Sequence, residues 1–462
     1  MNYVSTRGRA PRLGFEDTML AGLARDGGLY VPETVPPMDR ADIAALAGVS
    51  YEDAAVRVMR PFLGDSFTEG ELADAVAAAY AGFNHPARAP LRQLAPGHFL
   101  LELFHGPTLA FKDFAMQLIG QLFQTALARS GQRITIVGAT SGDTGSAAIE
   151  AFRGLPNVDV VILFPEGRVS EVQRRQMTTA TDANVHAVAL AGDFDAAQAR
   201  VKDMFNDFAF RDAVGLTAVN SINWARVLAQ VVYYFTSAVA LGAPHRTVDF
   251  TVPTGNFGDI YAGSVARAMG LPIGRLVIAT NHNDILHRTL QTAEHLATGV
   301  LPSISPSMDI QVSSNFERAL FDALERDGAA VTALMDELKT QGGFALPQGA
   351  VTALRGLYAS GRASEDETRA TITRTLAETG ELLCPHSAVG VHVAEGFLGP
   401  VPMVTLATAH PAKFPDAVAA ATGVRPPLPA HMADLYQRPE RVTHLPDDLA
   451  TLQDFVRERR AA

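Results

Sequence analysis

The sequence predicts an α/β protein: two parallel or mostly parallel sheets flanked by helices, with a mainly helical domain ahead of them. Three observations predict it. From about residue 130, apolar, β-branched runs of strand length alternate with stretches of helical periodicity. The strand runs are apolar on both faces, as in a parallel sheet covered on both sides. Seven strand–helix units follow one another, which suggests two sheets rather than one.

In chain order, the first eighty or so residues read as helices joined by Pro and Gly turns: GGLYVPETVPPMDR, then YEDAAVRVMRPFLG, then ELADAVAAAYAGF. No glycine-rich catalytic loop lies there, so residues 1–88 are expected to form a separate cap or packing domain. RITIVGA then leads into SAAIEAF, VDVVILF into VSEVQRRQM, VHAVALA into DAAQARVKDMF, and LTAV into INWARVLAQVVYYF. After a turn at GAPHR come VDFTV before DIYAGSVARAM, LVIAT before DILHRTLQ, and PMVTLAT before DAVAAATG. The main domain is expected over 89–425, with a smaller subdomain at about 130–222 inserted in it and residues 426–462 as a C-terminal extension. No short repeat and no low-complexity tract interrupts the chain.

A chain of 462 residues holds two or three domains, and 47% hydrophobic with 19% charged residues describes an ordinary globular protein. The net charge of -11, without a basic run, argues against a nucleic-acid partner. The single cysteine, Cys384, excludes an intramolecular disulfide and fits a reducing compartment. The N-terminus has no apolar segment of signal-peptide length and no later run reaches membrane-span length, so a cytoplasmic protein with no membrane partner is expected. No metal site is expected.

In open parallel sheets ligands bind beyond the carboxyl ends of the strands, which directs attention to four loops. ATSGDTGSAAIEAF (139–152) puts Ser141, Gly142, Asp143, Thr144 and Gly145 at the positive end of a helix dipole, a site for a carboxylate or phosphate; an N-cap with glycines for a tight turn is the plain alternative. TVPTGNFGDIYAG (251–263) lets Gly255 and Gly258 bring the backbone close to an anion, with Asn256 and Phe257 supplying N–H groups. Neither loop is a Walker A sequence or a GxGxxG, which weakens a nucleotide reading. In TLATAHPAKFPDAV (405–418), Thr408 ends an apolar strand and Lys413 stands just before a helix, where its charge opposes the dipole unless an anion lies nearby. In NSINWAR (220–226), Asn220 and Ser221 lie at a helix start, where capping alone explains them, and Arg226 follows, with a plain surface role as its alternative.

LELFHGPTLAFKDFAMQLIG (101–120) holds Lys112 in an otherwise apolar run. The chain has only four lysines (Lys112, Lys202, Lys339 and Lys413), leaving 34 arginines of the 38 basic residues. An amine can lose its proton and attack a carbonyl, as guanidinium cannot. Snorkelling toward Asp113 or Glu102 is the structural alternative, but the HGPT turn (105–108) just before the helix brings the amine to the lip of the sheet. A desolvated amine near other cations titrates low and serves as nucleophile and base. With two anion cradles, it suggests pyridoxal phosphate.

LELFHGPTLAFKDFAMQL, TSGDTGSAA, GDFDAAQ, NSIN, PTGNFGD, ATN and TAHPAKF occur in the order and spacing of the threonine synthases of the bacterial and fungal branch, and YVSTRG and DGGLYVPE resemble that family's N-terminal domain. The resemblance runs from about residue 2 to residue 425. It implies the type II pyridoxal-phosphate fold of the tryptophan synthase β-like group and a reaction turning O-phospho-L-homoserine and water into L-threonine and phosphate, by γ-elimination of phosphate and β-addition of water. By this resemblance Lys112 is the Schiff-base lysine and proton shuttle; Gly255, Asn256, Phe257, Gly258 and Asp259 form the cofactor-phosphate loop; and Thr408 meets the pyridine nitrogen. Asp143 lies where related enzymes often carry an asparagine near the cofactor's 3′-oxygen. Ser141 and Thr144 are implied to contact substrate carboxylate or phosphate, and Asn220, Ser221, Arg226 and Lys413 to line the substrate-phosphate site. Cys384 stands where relatives often carry an acidic or small polar residue, and is expected to be a buried small side chain. A monomer or homodimer is expected. The rival expectations are another lyase on the same fold, such as a serine or threonine dehydratase, a non-catalytic homologue that binds phosphorylated amino acids, and a nucleotide-dependent enzyme.

Overall fold

Strand segments apolar on both faces need cover on both faces, and the chain supplies it twice. In the computed structural model, which describes residues 1–462 apart from Ser141, Arg168, Asp193 and Ala462 and the side chains of Phe194, Asp195 and Ala461, the seven strand–helix units fall into two sheets. The larger runs Tyr358–Arg362, Ile273–Thr280, Val248–Pro253, Met403–Ala407, His98–Glu102, Leu91–Ala95. Every pairing in it is parallel except the last, where Leu91–Ala95 returns antiparallel on His98–Glu102. The smaller runs Thr443–Leu445, Val185–Leu190, Val158–Pro165, Ile134–Ala139, Leu216–Thr217, all parallel. All residues of Ile134–Ala139, Val158–Pro165, Val248–Pro253 and Met403–Ala407 are buried, as two-sided cover demands.

Helix Trp224–Ala240 is buried almost all round, and packs on helices Lys112–Ser130, Gly258–Ala268 and Tyr51–Leu63. A helix apolar on every side belongs inside a protein, and this one joins the N-terminal region to the larger sheet. Several helix starts are written in the sequence: Thr68 with Glu71, Ser170 with Gln173 and Ser364 with Glu367 close capping boxes.

Three features depart from the expectations. The N-terminal region is helical but also holds an antiparallel pair, Tyr3–Ser5 with Tyr30–Pro32, and Tyr30–Pro32 falls in the GGLYVPETV stretch assigned to turns. The C-terminal residues are built into the smaller sheet: Thr443–Leu445 adds its edge strand, and Leu452, Phe455 and Val456 of helix Leu449–Ala461 join its buried cluster. In NSINWAR the helix starts at Trp224 with Asn223 as its cap, accepting from Ala225 N at 3.0 Å. Asn220 and Ser221 lie in the turn before it, so capping does not account for them. Among the described residues no helix is long and apolar enough to cross a membrane.

Candidate active site

The turn before Lys112 is clasped by its own helix. Asp113 accepts hydrogen bonds from Thr108 N at 2.8 Å and Thr108 Oγ1 at 2.6 Å. A Cβ on Gly106 would come within 2.5 Å of the Asp113 carboxylate, so the turn closes only over glycine. Phe111 N donates to Thr408 O at 2.8 Å and His410 N to Leu109 O at 2.9 Å, laying 109–111 beside 408–410. Lys112 thus becomes the first residue of helix Lys112–Ser130, in the wall of one narrow cavity with Thr408, Asp143, Arg226 and the 255–259 loop. This cavity, about 70 Å³, shares Lys112, Thr144, Ser221, Asn256 and Ser307 with a cleft of about 650 Å³ that Asn220 also lines.

Asp143 is the nearest carboxylate to Lys112, at 3.7 Å from Nζ. The two partners that snorkelling would use are spoken for, Asp113 by Thr108 and Glu102 by His105 Nε2 at 2.7 Å. Burial, helped by Arg226 and Lys413 and opposed by Asp143, pushes the Lys112 amine down to about 8. Burial alone would raise Asp143; Lys413 and Lys112 outweigh it and hold its carboxyl well below the ordinary carboxylate range.

Lys413 corrects an expectation. It is fully buried, and its three N–H donors go to Thr108 O at 2.7 Å, Gln176 Oε1 at 3.0 Å and Asp143 Oδ1 at 3.0 Å. An ammonium has no fourth donor, so a substrate phosphate finds none here. The anion that its place before a helix demanded is Asp143. Arg226 is likewise no surface residue: it is buried, gives Nη1 to Val219 O at 3.2 Å, and leaves Nε without a partner among the described residues. Burial brings it down to about 10, still a cation, with a donor unused beside the cavity.

The 255–259 loop is held from behind. Ser313 Oγ donates to Gly255 O at 2.7 Å, and Asn315 N and Nδ2 donate to Asn256 O at 3.0 and 2.9 Å. A Cβ on Gly255 would lie 2.6 Å from Ser307 O. Phe257 takes a left-handed φ of 63° ahead of helix Gly258–Ala268. The amides of Asn256, Phe257, Gly258 and Asp259 donate to no described residue, which leaves an anion nest at the helix N-terminus. The Asp259 side chain faces away from that role: Oδ1 takes the hydroxyls of Tyr233 and Tyr234, and burial raises the carboxyl to about 7. Only its backbone belongs to the nest.

The Thr408 hydroxyl, in the cavity wall, makes no hydrogen bond among the described residues, and Thr144 follows Asp143 in the first turn of helix Asp143–Phe152. Ser141 lies outside the described residues. An amine with a lowered proton affinity, backbone amides that donate to no described residue and a free hydroxyl suit the aldehyde, phosphate and ring nitrogen of pyridoxal phosphate, so these residues fit it.

Sequence reasoning missed four neighbours of Asp143 and Lys413. Gln173 Nε2 donates to Asp143 Oδ1 at 2.9 Å and Ser307 Oγ to Oδ2 at 3.2 Å, while Gln176 holds Lys413. On helix Glu171–Thr178 the two glutamines look like any polar surface pair. His386 accepts from Ser307 N through Nε2 at 3.2 Å, and burial lowers it to about 4, so its ring stays neutral. The polar His386–Ser387 pair inside an apolar run was the one signal available. Cys384 is buried, as expected, and caps helix Pro385–Glu395 through its sulfur.

Comparison with known proteins then decides the family. Residues 2–80 match the family "Threonine synthase N terminus", 84–357 "Pyridoxal-phosphate dependent enzyme", and 387–456 "Threonine synthase, C-terminal". A threonine synthase of Pseudomonas aeruginosa is 54% identical over 459 residues, covering 99% of this chain and 98% of that one. The chain belongs to the threonine synthase family. Its structure matches that of a pyridoxal-phosphate-bound threonine synthase from Brucella melitensis with a TM-score of 0.97, at 56% identity over all of both chains. For the threonine synthase from yeast the TM-score is 0.94 at 38% identity, covering 100% of this chain and 99% of that one. The fold is the type II pyridoxal-phosphate fold and the cofactor is pyridoxal phosphate. The threonine synthase match extends to residue 456, past residue 425 where the motif resemblance stops, in keeping with the structural part played by the last strand and helix.

Proposed function

We propose that this chain converts O-phospho-L-homoserine and water into L-threonine and phosphate, with Lys112 as the residue that carries the cofactor and moves the protons. One observation carries the reading: a largely buried amine brought down to about 8 shares a cavity with a nest of backbone amides that donate to no described residue and an unused guanidinium donor. When bound, pyridoxal phosphate supplies an aldehyde for the amine and a ring that draws electrons from Cα. The amides of Asn256, Phe257, Gly258 and Asp259, brought close by Gly255 and Gly258, would hold its phosphate, and the Thr408 hydroxyl would meet its ring nitrogen. Asp143, fixed by Lys413, Gln173 and Ser307, sets the charge beside Lys112.

The Lys112 amine would take the Cα proton and pass it on, then take a proton from Cβ as phosphate leaves Cγ with the bonding pair; one proton delivered to Cγ makes the methyl group, water adds its hydroxyl at Cβ, and a proton returned to Cα completes threonine. An amine near its working pH both accepts and returns such protons. Arg226, with Asn220 and Ser221 at the mouth of the cleft, receives the substrate phosphate; Thr144 and, by its motif, Ser141 receive the carboxylate. The reading includes a domain division at residues 88 and 425, with a subdomain at about 130–222. It also includes a cytoplasmic place of work and a monomer or homodimer.

The test is a spectrum of the purified protein followed by borohydride reduction and peptide mapping. The expected result is a near-visible band that reduction abolishes, with the label on the Lys112 peptide, and release of threonine and phosphate in equal amounts from O-phospho-L-homoserine. Lys112→Ala is expected to lose both band and turnover. Label on another peptide, or turnover of serine in place of the phosphorylated substrate, would overturn the reading.

A further inference from the structure

We infer that Arg318 is a positioning residue by which the N-terminal region sets the spacing between the 255–258 cradle and the 220–222 loop; this rests on the assignment of those loops to cofactor and substrate. Arg318 is fully buried, on helix Phe316–Ala323. Its partners are neutral oxygens from three parts of the chain. Nε and Nη2 donate to Tyr30 O of the N-terminal strand pair at 3.1 and 3.0 Å, Nη2 also to Ile222 O at 2.6 Å, and Nη1 to Asn315 Oδ1. Asn315 in turn gives its Nδ2 to Asn256 O at 2.9 Å. One planar guanidinium therefore spans from the residue after Ser221, through Asn315, to the backbone of the cofactor nest.

Among the described residues Arg318 forms no ion pair, and the Trp224 ring lies 5.8 Å from its guanidinium carbon. A buried cation held only by carbonyl and amide oxygens is a costly way to fill space. It is a reasonable way to fix several acceptors in one plane, because the rigid fork places its donors in set directions. The preceding residue strengthens the same joint: Glu317 accepts from Thr6 Oγ1 at 2.6 Å and from Arg7 Nε and Nη2 at 3.1 and 3.0 Å. The N-terminal region thereby reaches both loops of the site through helix Phe316–Ala323.

The experiment compares Arg318→Lys with Asn315→Ala in full-length protein, measuring the dissociation constant for pyridoxal phosphate, then KM and kcat at saturating cofactor. Lysine reaches fewer of the acceptors and frees both loops: cofactor dissociation constant and KM are each expected to rise about tenfold, with kcat within about twofold. Asn315→Ala removes the side-chain link from Arg318 Nη1 to Asn256 O, keeps the backbone donor of residue 315 and leaves the Tyr30 and Ile222 acceptors in place, so the cofactor constant is expected to rise while KM stays within about twofold. A merely structural role would lower the unfolding temperature of both variants and leave both constants unchanged; that result, or a KM in Asn315→Ala that rises with the cofactor constant, overturns the inference. Should Arg318→Lys fail to fold, the contrast between the two constants in Asn315→Ala decides alone. Borohydride labelling of the wild type runs alongside: label at Lys112 with unchanged constants refutes this inference only, whereas label elsewhere refutes the site assignment on which it stands.

Discussion

At the residue scale the arrangement turns on Asp143 between two lysines. Lys413 spends every donor inside the protein, so its contribution is to the shape and charge of the site. Lys413→Met leaves Asp143 buried with one cation fewer, and removing one member of a buried pair costs about 3 kcal/mol. The expected outcome is a urea-unfolding free energy lower by about that amount at neutral pH. The pH dependence has a definite sign: because the folded-state carboxyl is depressed, the stability it contributes is fully present above its ordinary value of 3.8 and lost as the pH falls below it. Wild type and variant should therefore converge only as the pH falls toward that depressed folded-state value, and a gap that widened in acid would count against the pairing. Lys413 also marks how far a sequence can be read. Its awkward place before a helix announced an anion, but nothing in the spacing pointed to Asp143, since the two belong to junctions of different sheets and meet only in the folded chain.

At the element scale, strand–loop–helix junctions put the chemistry in place. Those junctions were legible because two-sided apolar strands, loop glycines and cap residues each leave a local signal. The short pieces were not: Tyr30–Pro32 has three residues, Leu91–Ala95 is a poorly covered edge strand that turns straight back onto His98–Glu102, and Tyr358–Arg362 is a partly buried edge strand whose partner, Ile273–Thr280, lies far back in the chain. The 255–258 loop shows what such a junction demands. Gly255→Ala would drive a Cβ to within 2.6 Å of a backbone carbonyl, whereas Gly258→Ala meets an amide side chain at 3.2 Å. Equilibrium dialysis should find pyridoxal phosphate affinity lowered about tenfold or more in Gly255→Ala, and less in Gly258→Ala, because side chains give way more easily than backbone. Equal losses in both would show that the cradle shifts as a whole.

At the scale of the whole molecule, the last strand and helix complete the smaller sheet instead of trailing from it. Leu452 is 1% exposed and packs in the cluster that includes Val137, Leu163, Val188 and Leu190. Leu452→Ala is expected to cost about 3 kcal/mol of unfolding free energy, seen as a lower urea midpoint. A loss below about 0.5 kcal/mol would mean that the helix is not part of this core. Nothing before residue 443 foretells the part those last elements play, because an edge strand of three residues has too short a pattern to announce itself. Its pairing has a consequence during synthesis. Residues 188–190 leave the ribosome long before their partners at 443–445 exist, and at ordinary translation speeds that interval is on the order of tens of seconds. For all that time a nascent chain carries an open sheet margin and a bare apolar face, the surfaces on which unfinished chains most readily associate.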